Sequence, residues 1–165
     1  HVGRSYSIQI QNIVMSRAEW GEACQSILDT AGVQHFSPYE IADVGRTHPR
    51  GPTVLQAPPL GLVTANALPL IEVLEWLRAA ETVTPVLINS WFRDYYYNKA
   101  VGGVDYSMHL TLGAADVTKI GYNPTEVAAM LEGHPDSASF GIGCYSSFVH
   151  LDIRGYLNRR APARW

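Results

Sequence analysis

The sequence predicts an α+β fold, in which helices pack on a small antiparallel sheet. Two observations predict this class. Apolar residues recur at helical spacing in the first half of the chain, whereas short apolar or alternating runs typical of strands cluster after residue 85. The chain has 165 residues, of which 47% are hydrophobic, so it is long enough to bury one core. We therefore expect a single globular domain.

The first 35 residues are predicted to form an arm and a helix. Residues 1–15 alternate loosely between apolar and polar side chains, which suits an edge strand or an extended arm. Ser16 and Glu19 have the spacing of a capping box, and apolar residues then recur at helical intervals. We expect a helix over residues 17–31, and Gly32 is a natural stop.

The next stretch is predicted to hold a short helix, a loop and the main core helix. Pro38 stands at the first position of a short helix over residues 38–43. Residues 44–63 are rich in proline and glycine and are predicted to be irregular. Residues 68–80 carry four apolar residues on one face, with Pro69 tolerated in the first turn, and predict the main core helix.

The second half is predicted to supply the strands. Asp94 is positioned to cap a short helix that ends at Gly102, and Asn123 to cap a helix reaching residue 131. Four short runs are predicted to be strands, the last two forming a hairpin: 85–89, 114–118, 139–144 and 148–153. The basic tail, residues 155–165, is expected to wrap the surface.

Charge and hydropathy limit the partners. A formal net charge of −3 and a pI near 6.0 give no electrostatic reason to expect nucleic acid. The apolar stretches are strand-length or interrupted, so we expect no membrane span. The chain opens at His1 without a basic and apolar leader, so we expect any targeting signal to lie outside it.

Cys24 and Cys144 are either bridged or two buried free thiols.

Two histidines and one aspartate are the candidate chemistry of this chain. His109, Asp116 and His150 come from separate segments, and two imidazoles with a carboxylate are a ligand set of catalytic zinc, which leaves one position for water. His150 and Asp152 alternate on one strand and therefore share a face. Each residue alone has an ordinary interpretation, as a hydrogen-bonded surface histidine, a turn aspartate or a polar strand face.

Several motifs in one order resemble a known family. They are Ser90-x-x-Arg93, Asn98, Val101-Gly102-Gly103, Ser107-x-His109, Ala114-Ala115-Asp116 and Phe148-Val149-His150-Leu151-Asp152. This order resembles the zinc D-alanyl-D-alanine carboxypeptidases, a superfamily that includes the vancomycin-resistance D-Ala-D-Ala dipeptidases, phage endolysin peptidases and the hedgehog signalling fold. The resemblance covers residues 36–165, which we expect to form the zinc peptidase domain, with residues 1–35 packed on it.

The resemblance implies a function and a set of site residues. It implies that His109, Asp116 and His150 bind Zn²⁺, and that Arg93 and Ser107 face a peptidoglycan peptide. Arg93 has suitable chemistry to hold a carboxylate or a developing oxyanion, although an ion pair is its ordinary alternative. Ser107 has the alternative of bonding the backbone in a turn. We expect a monomer that is secreted, periplasmic, associated with the cell wall or part of a phage lysin.

Two departures from the family pattern bear on mechanism. The family usually has glycine three residues after the first histidine, where this chain has Leu112 followed by Gly113. Well-known members also carry an acidic residue three before the final histidine, where this chain has Ser147. Asp152 is then the candidate general base, or it orients His150. The missing acid leaves a second function open, a non-catalytic, zinc-stabilised module that binds cell wall.

Overall fold

The structure, a computed structural model, describes residues 15–42, 48–50 and 56–165. Over these residues it is an α+β fold with helices packed on a five-stranded sheet, so the predicted class is confirmed. The arm predicted for residues 1–15 lies outside the described residues except for its last position. Much of the loop predicted over residues 44–63 lies outside them as well.

Helix α1, Arg17–Thr30, begins as the capping box predicts. The Glu19 backbone N–H donates to Ser16 Oγ at 3.1 Å, and the Ser16 N–H donates to Glu19 Oε1 at 3.4 Å. These bonds satisfy donors that the first turn of a helix leaves free. After the helix, Gly32 takes a φ of +76°, a left-handed conformation that glycine adopts without steric cost.

Helix α2, Pro38–Ala42, agrees with its prediction, but helix α3 starts earlier than predicted. It runs from Leu60 to Ala79 and contains a π-helical turn, Val63–Ala67. In this turn the Leu68 N–H donates five residues back, to Val63 O. Proline has no N–H, and its ring crowds the carbonyl four residues earlier in an α-helix. The widened turn lets the helix continue through Pro69, which the sequence prediction treated as a start.

Helix α3 is long and apolar enough to cross a membrane by length and composition alone. The sequence prediction missed such a stretch because it assigned residues 60–63 to a loop. The apolar side chains of this helix are nevertheless part of the core: Val63, Ala67, Leu70, Ile71, Val73, Leu74 and Leu77. The core helix of a globular domain passes the same test, so the stretch is only a weak indication of a membrane span.

Two further helices frame the strands. Helix α4, Tyr95–Ala100, is capped by Asp94, whose side chain accepts a hydrogen bond from the Tyr97 N–H. Helix α5, Pro124–Glu132, opens with a second capping box, formed by Asn123 and Glu126. Both caps were predicted, since a short polar side chain before a helix satisfies its first free N–H groups.

Five strands form one sheet. In chain order, β1 to β5 are Val86–Ser90, Ala114–Lys119, Gly141–Cys144, Val149–Asp152 and Ala163–Arg164. Their order across the sheet is β1-β2-β4-β3-β5. The first four pair antiparallel, and β3 and β4 form the predicted hairpin. The tail departs from its prediction, because β5 adds to the sheet parallel to β3. Arg164 holds it there by ion pairing with Glu132 of α5.

The two faces of the sheet have different roles because side chains alternate along each strand. One face carries the apolar residues that pack under the helices: Ala115, Val117, Ile142, Val149 and Leu151. Lys119 is fully buried at this face, and its Nζ donates to the carbonyls of Leu77 and Arg78 in the last turn of α3 and of Thr82 beyond it, at 2.8, 2.8 and 2.9 Å. The opposite face carries the polar residues of the site.

Both cysteines are free thiols, so the bridge left open by the sequence does not form. Cys24 lies in the core on α1, as expected for a buried thiol. Cys144 is exposed at the end of β3, so the expectation of a second buried thiol is wrong. A strand end beside a hairpin turn has few neighbours to cover it.

Candidate metal centre

His109 is placed by a short 3-10 turn, Met108–Thr111, that precedes β2. Ser107 caps this turn, because its Oγ accepts the His109 N–H at 3.2 Å. Asn66, from the π-helical turn of α3, donates to the Thr111 carbonyl at 2.7 Å. Leu112 then takes a left-handed φ of +66° and leads the chain into β2. The chain therefore turns at Leu112 and Gly113, between His109 and β2.

Asp116 and His150 are direct cross-strand partners on β2 and β4. Opposite residues of neighbouring strands place their side chains on the same face of a sheet, so the register brings the two together. The ring of His109 lies 5.1 Å from that of His150, measured between centroids. All three residues are buried, each at 9% exposure or less. The three segments that the sequence analysis selected therefore converge.

The three side chains direct ligand atoms at one point. The Oδ1 atom of Asp116 lies 3.2 Å from His109 Nε2 and 3.0 Å from His150 Nδ1. One ligand atom from each residue falls within 4.8 Å of the other two, so the group could hold a metal ion. The arrangement uses a different ring nitrogen of each histidine.

The outward nitrogen of each histidine faces an atom that only accepts hydrogen bonds. His109 Nδ1 lies 2.6 Å from the Trp91 carbonyl oxygen, and His150 Nε2 lies 2.8 Å from Asp152 Oδ2. Each outward nitrogen must therefore carry the proton, and a neutral ring then presents a lone pair inward. Two lone pairs and a carboxylate oxygen facing one another repel unless a cation lies between them. The donor set therefore fits a metal ion, with an outer contact that orients each histidine.

The titration behaviour of the cluster agrees with this picture. Burial opposes ionisation of Asp116, but hydrogen bonds and the charges of His109 and His150 outweigh burial and hold the pKa of this carboxyl well below its usual range. Burial likewise opposes protonation of His150, but its contacts with Asp116 and Asp152 raise the pKa of this imidazole. Because Asp116 is ionised, the cluster attracts positive charge, which protons or a metal ion can supply.

Arg93 lies at the β1 side of the cluster. Its Nη2 donates to Asp116 Oδ2 at 3.2 Å, and its Nε donates to Ser90 Oγ at 3.3 Å. It does not pair with its neighbour Asp94, whose carboxylate instead lies 2.5 Å from His48 Nε2. The ion pair considered for Arg93 is therefore made with Asp116, a residue of the cluster. This contact places a permanent cation beside the candidate metal position.

Asp152 is fully buried and lies behind His150. Its Oδ1 accepts from the N–H groups of Gly141 and Arg154 at 3.2 and 3.1 Å, and the Arg154 guanidinium donates to both carboxylate oxygens. Burial alone would raise the pKa of Asp152, but hydrogen bonds from Arg154 and His150 and their charges bring it far below the usual range. A carboxylate this well paired is a weak acceptor for another proton.

Comparison with known proteins decides the family. A family model described as Peptidase M15 matches residues 34–152, well over half of the chain. The chain belongs to the peptidase M15 family. The zinc peptidase family predicted from the motifs is therefore confirmed, and membership supports peptidase activity on a peptide substrate. A search of curated proteins found no match.

Three parts of this M15 site were not found from the sequence. The Trp91 carbonyl is a backbone atom, and no residue type signals it. Arg154 stands two residues after Asp152, but an arginine just after a predicted strand carries no signal of a buried ion pair. Trp165 follows β5, and its ring lies 5.1 Å from the ring of His150. Only the parallel pairing of β5 with β3, a long-range contact, brings Trp165 to the site.

Proposed function

We propose that this chain is a zinc-dependent metallopeptidase that hydrolyses peptide bonds in the stem peptides of peptidoglycan, as a D,D-carboxypeptidase or an endopeptidase. One observation carries the proposal. His109, Asp116 and His150 direct three ligand atoms at one point, and the outward nitrogen of each histidine is held by an acceptor. Membership of the M15 family supports the peptidase class.

Zinc is the metal that this donor set suits best. Two imidazole nitrogens and one carboxylate oxygen are typical of catalytic zinc sites that keep a position for water. Zinc bound there would supply Lewis acidity and would lower the pKa of its water to about 7. His109 and His150 would provide neutral nitrogens, and Asp116 would provide an oxygen and most of the compensating negative charge.

Arg93 is proposed to bind the substrate and to stabilise negative charge. Its contacts with Ser90 and Asp116 fix the guanidinium at the edge of the cluster. Its Nη1 makes a third, longer bond, to Asn98 Oδ1 at 3.5 Å. A planar fork of donors suits a terminal carboxylate or the oxyanion that develops at the scissile carbonyl. Ser107 remains a proposed substrate contact, and its Oγ also holds the His109 turn.

Asp152 supports catalysis by positioning His150 rather than by taking a proton. Its oxygens already accept from Arg154, Gly141 and His150, and its side chain is fully buried. A general base must reach the attacking water directly or through one water. The contacts of Asp152 therefore favour the orienting role, one of the two roles that the sequence left open.

The proposed substrate also sets the proposed location. Stem peptides of peptidoglycan lie outside the cytoplasmic membrane, so the protein would work as a secreted, periplasmic or wall-associated enzyme, or as part of a phage lysin. The substrate class rests on the family resemblance, since the site geometry itself specifies only a metal-dependent hydrolase.

The experiment is metal analysis followed by digestion of defined muropeptides, with the products identified by mass spectrometry. We expect bound zinc and loss of D-alanine or cleavage of a crosslink. Chelation should abolish the reaction and added zinc should restore it. Intact muropeptides after incubation with the zinc-loaded protein would contradict the proposed enzyme.

A specific observation favours a second candidate, a zinc-stabilised module that binds cell wall without cutting it. The position three before His150 is Ser147, whose hydroxyl cannot serve as a general base at its ordinary pKa. Asp152 does not readily replace the missing acid. The same digestion separates the candidates, because a module would retain zinc and bind purified sacculi while leaving every muropeptide intact.

A further inference from the structure

A row of five residues crosses the site-bearing face of the sheet. Ser90 pairs with Asp116, Asp116 with His150, and His150 with Gly143. Trp165 continues the row, since its N–H donates to Ile142 O at 3.1 Å and its carbonyl accepts from Cys144 N at 2.8 Å, the two neighbours of Gly143. Strands lie about 4.8 Å apart, so the row spans roughly 19 Å, or about five to six residues of extended peptide.

The two ends of this row differ in chemistry. Arg93 lies at the β1 end, tied to Ser90 and Asp116. Trp165 lies at the β5 end, beyond His150. The candidate metal position therefore has a cation on one side and an indole ring on the other. A peptide laid along the row would meet different partners on the two sides of its scissile bond.

The Trp165 side chain is half exposed, but several contacts fix its position. Its Nε1 donates to the Tyr145 hydroxyl at 2.7 Å, and the Arg154 guanidinium carbon lies 5.3 Å from its ring. Gly143 leaves the space for the ring, since a Cβ there would lie 2.5 Å from Trp165 Nε1. The polar edge of the indole is thus already bonded, and its exposed half presents an apolar surface.

From these contacts we infer that Trp165 forms a substrate subsite for an aliphatic side chain in the acyl-side segment of the peptide, opposite Arg93. This inference rests on the proposed function, because Arg93 must take the carboxylate of the leaving residue for the acyl side to face Trp165. The Arg154 charge near the ring is compensated by Asp152, so a charged group gains little there. A methylene chain lying on the indole face gains by leaving water.

The test compares two peptides on the zinc-loaded protein. Nα,Nε-diacetyl-L-lysyl-D-alanyl-D-alanine offers a long methylene chain, and N-acetylglycyl-D-alanyl-D-alanine offers none. We expect wild type to prefer the lysyl peptide about tenfold in kcat/KM, as burial of about two methylene groups implies. Trp165→Ala should remove this preference by slowing the lysyl peptide alone, and should leave zinc affinity within about threefold of wild type.

Four further variants test the interpretation. Trp165→Phe should keep part of the preference, and Gly143→Ala should reduce it by displacing the indole. Tyr39→Ala removes another half-exposed aromatic residue, on α2, and should change nothing. Should Trp165→Ala fail to fold, Trp165→Gln is judged by the same criterion. An unchanged preference in the Trp165 variants, or equal slowing of both peptides, overturns the subsite.

The proposed activity and the subsite can fail separately. If wild type cleaves neither peptide, the dissociation constants of both are measured by calorimetry on the zinc-loaded protein. A tenfold binding preference that Trp165→Ala abolishes would uphold the subsite and reject D,D-carboxypeptidase activity. Cleavage without any preference would uphold the peptidase and reject the subsite. Absence of both cleavage and binding would reject both the subsite and D,D-carboxypeptidase activity.

Discussion

The Arg154 guanidinium donates two hydrogen bonds to the Asp152 carboxylate, from Nε to Oδ1 at 2.8 Å and from Nη2 to Oδ2 at 2.7 Å. Asp152 in turn faces His150 Nε2 at 2.8 Å. The three side chains form a chain of contacts that ends at a candidate metal ligand. Such outer contacts fix the orientation and tautomer of a histidine that binds metal.

Asp152→Asn should therefore lower zinc affinity by about 10–100-fold, because the amide weakens the contact with His150 and leaves Arg154 without its anion. If Asp152 only orients His150, much of the rate should return at saturating zinc. Zinc titration with a competing chelator and single-turnover rates measure the two effects. A rate that stays low in the fully loaded variant would instead assign Asp152 as the general base.

His109→Ala should remove both the bound zinc and hydrolysis, because it deletes one of three converging ligands. Atomic absorption after desalting measures the metal, and muropeptide digestion measures activity. His35→Ala is the matched control, since His35 pairs with Glu75 at the surface. A His109→Ala protein with wild-type zinc content and rate would mean that the ligand assignment is wrong.

Lys119→Met should destabilise the fold without touching the site. The ammonium donates to three carbonyls near the end of α3, and its loss would remove three charge-assisted hydrogen bonds. Leu77 O and Arg78 O would keep only their backbone donors, the N–H groups of Ala80 and Thr84. We expect the free energy of unfolding to fall by about 3 kcal/mol in urea titrations. The exposed Lys99→Met is the control and should stay within about 0.5 kcal/mol of wild type. Equal changes in the free energy of unfolding for the two variants would contradict the structural role assigned to Lys119.

Gly141→Ala should impair the metal site through its outer contacts. An added Cβ would lie 2.4 Å from Asp152 Oδ2 and 2.6 Å from Arg154 Nε, so the ion pair behind His150 must shift. We expect zinc affinity to fall about tenfold. Gly61→Ala places a methyl group in open space on α3 and should stabilise the fold by about 0.5–1 kcal/mol. Unchanged zinc binding in Gly141→Ala would show that the ion pair tolerates displacement.

The two cysteines should differ sharply in reactivity. Burial raises the pKa of the Cys24 thiol to about 11, whereas Cys144 is exposed. Because the thiolate is the reactive form, iodoacetamide at pH 8 should label Cys144 and spare Cys24 in the native protein. Peptide mapping by mass spectrometry locates the label, and unfolded protein should be labelled at both positions. Rapid labelling of Cys24 in the native state would contradict its place in the core.

Local signals explain which elements the sequence could predict. The capping box of Ser16 and Glu19 and the Asn123 cap act within one turn, so the helices that follow them were predicted closely. The three candidate ligands were selected by residue type and spacing, and the register of β2 and β4 brings two of them together. The predicted hairpin joins β3 to β4, so the pairing of β2 with β4 is a long-range contact that the sequence patterns did not specify.

The remaining features depend on contacts between distant segments. Pro69 suggested a helix start, but the π-helical turn before it carries the helix onward to Leu60, and that turn is stabilised by packing in the core. The tail was predicted to wrap the surface because its basic residues give no strand pattern, yet β5 pairs with β3. Trp91 and Arg154 contribute to the site through a carbonyl and an ion pair that residue type does not reveal.

The widened turn of α3 has a consequence for how this enzyme family member tolerates insertions and deletions. Asn66 belongs to that turn and bonds the Thr111 carbonyl beside His109. Deleting one residue from Val63–Ala67 would restore ordinary helical geometry and leave the flanking turns facing nearly the same way. It would also bring the Pro69 ring against the carbonyl four residues earlier and displace Asn66 from the wide turn. Asn66 would then lose its partner. The extra residue of this turn therefore supports the distant turn that carries His109, in addition to the apolar packing around α3.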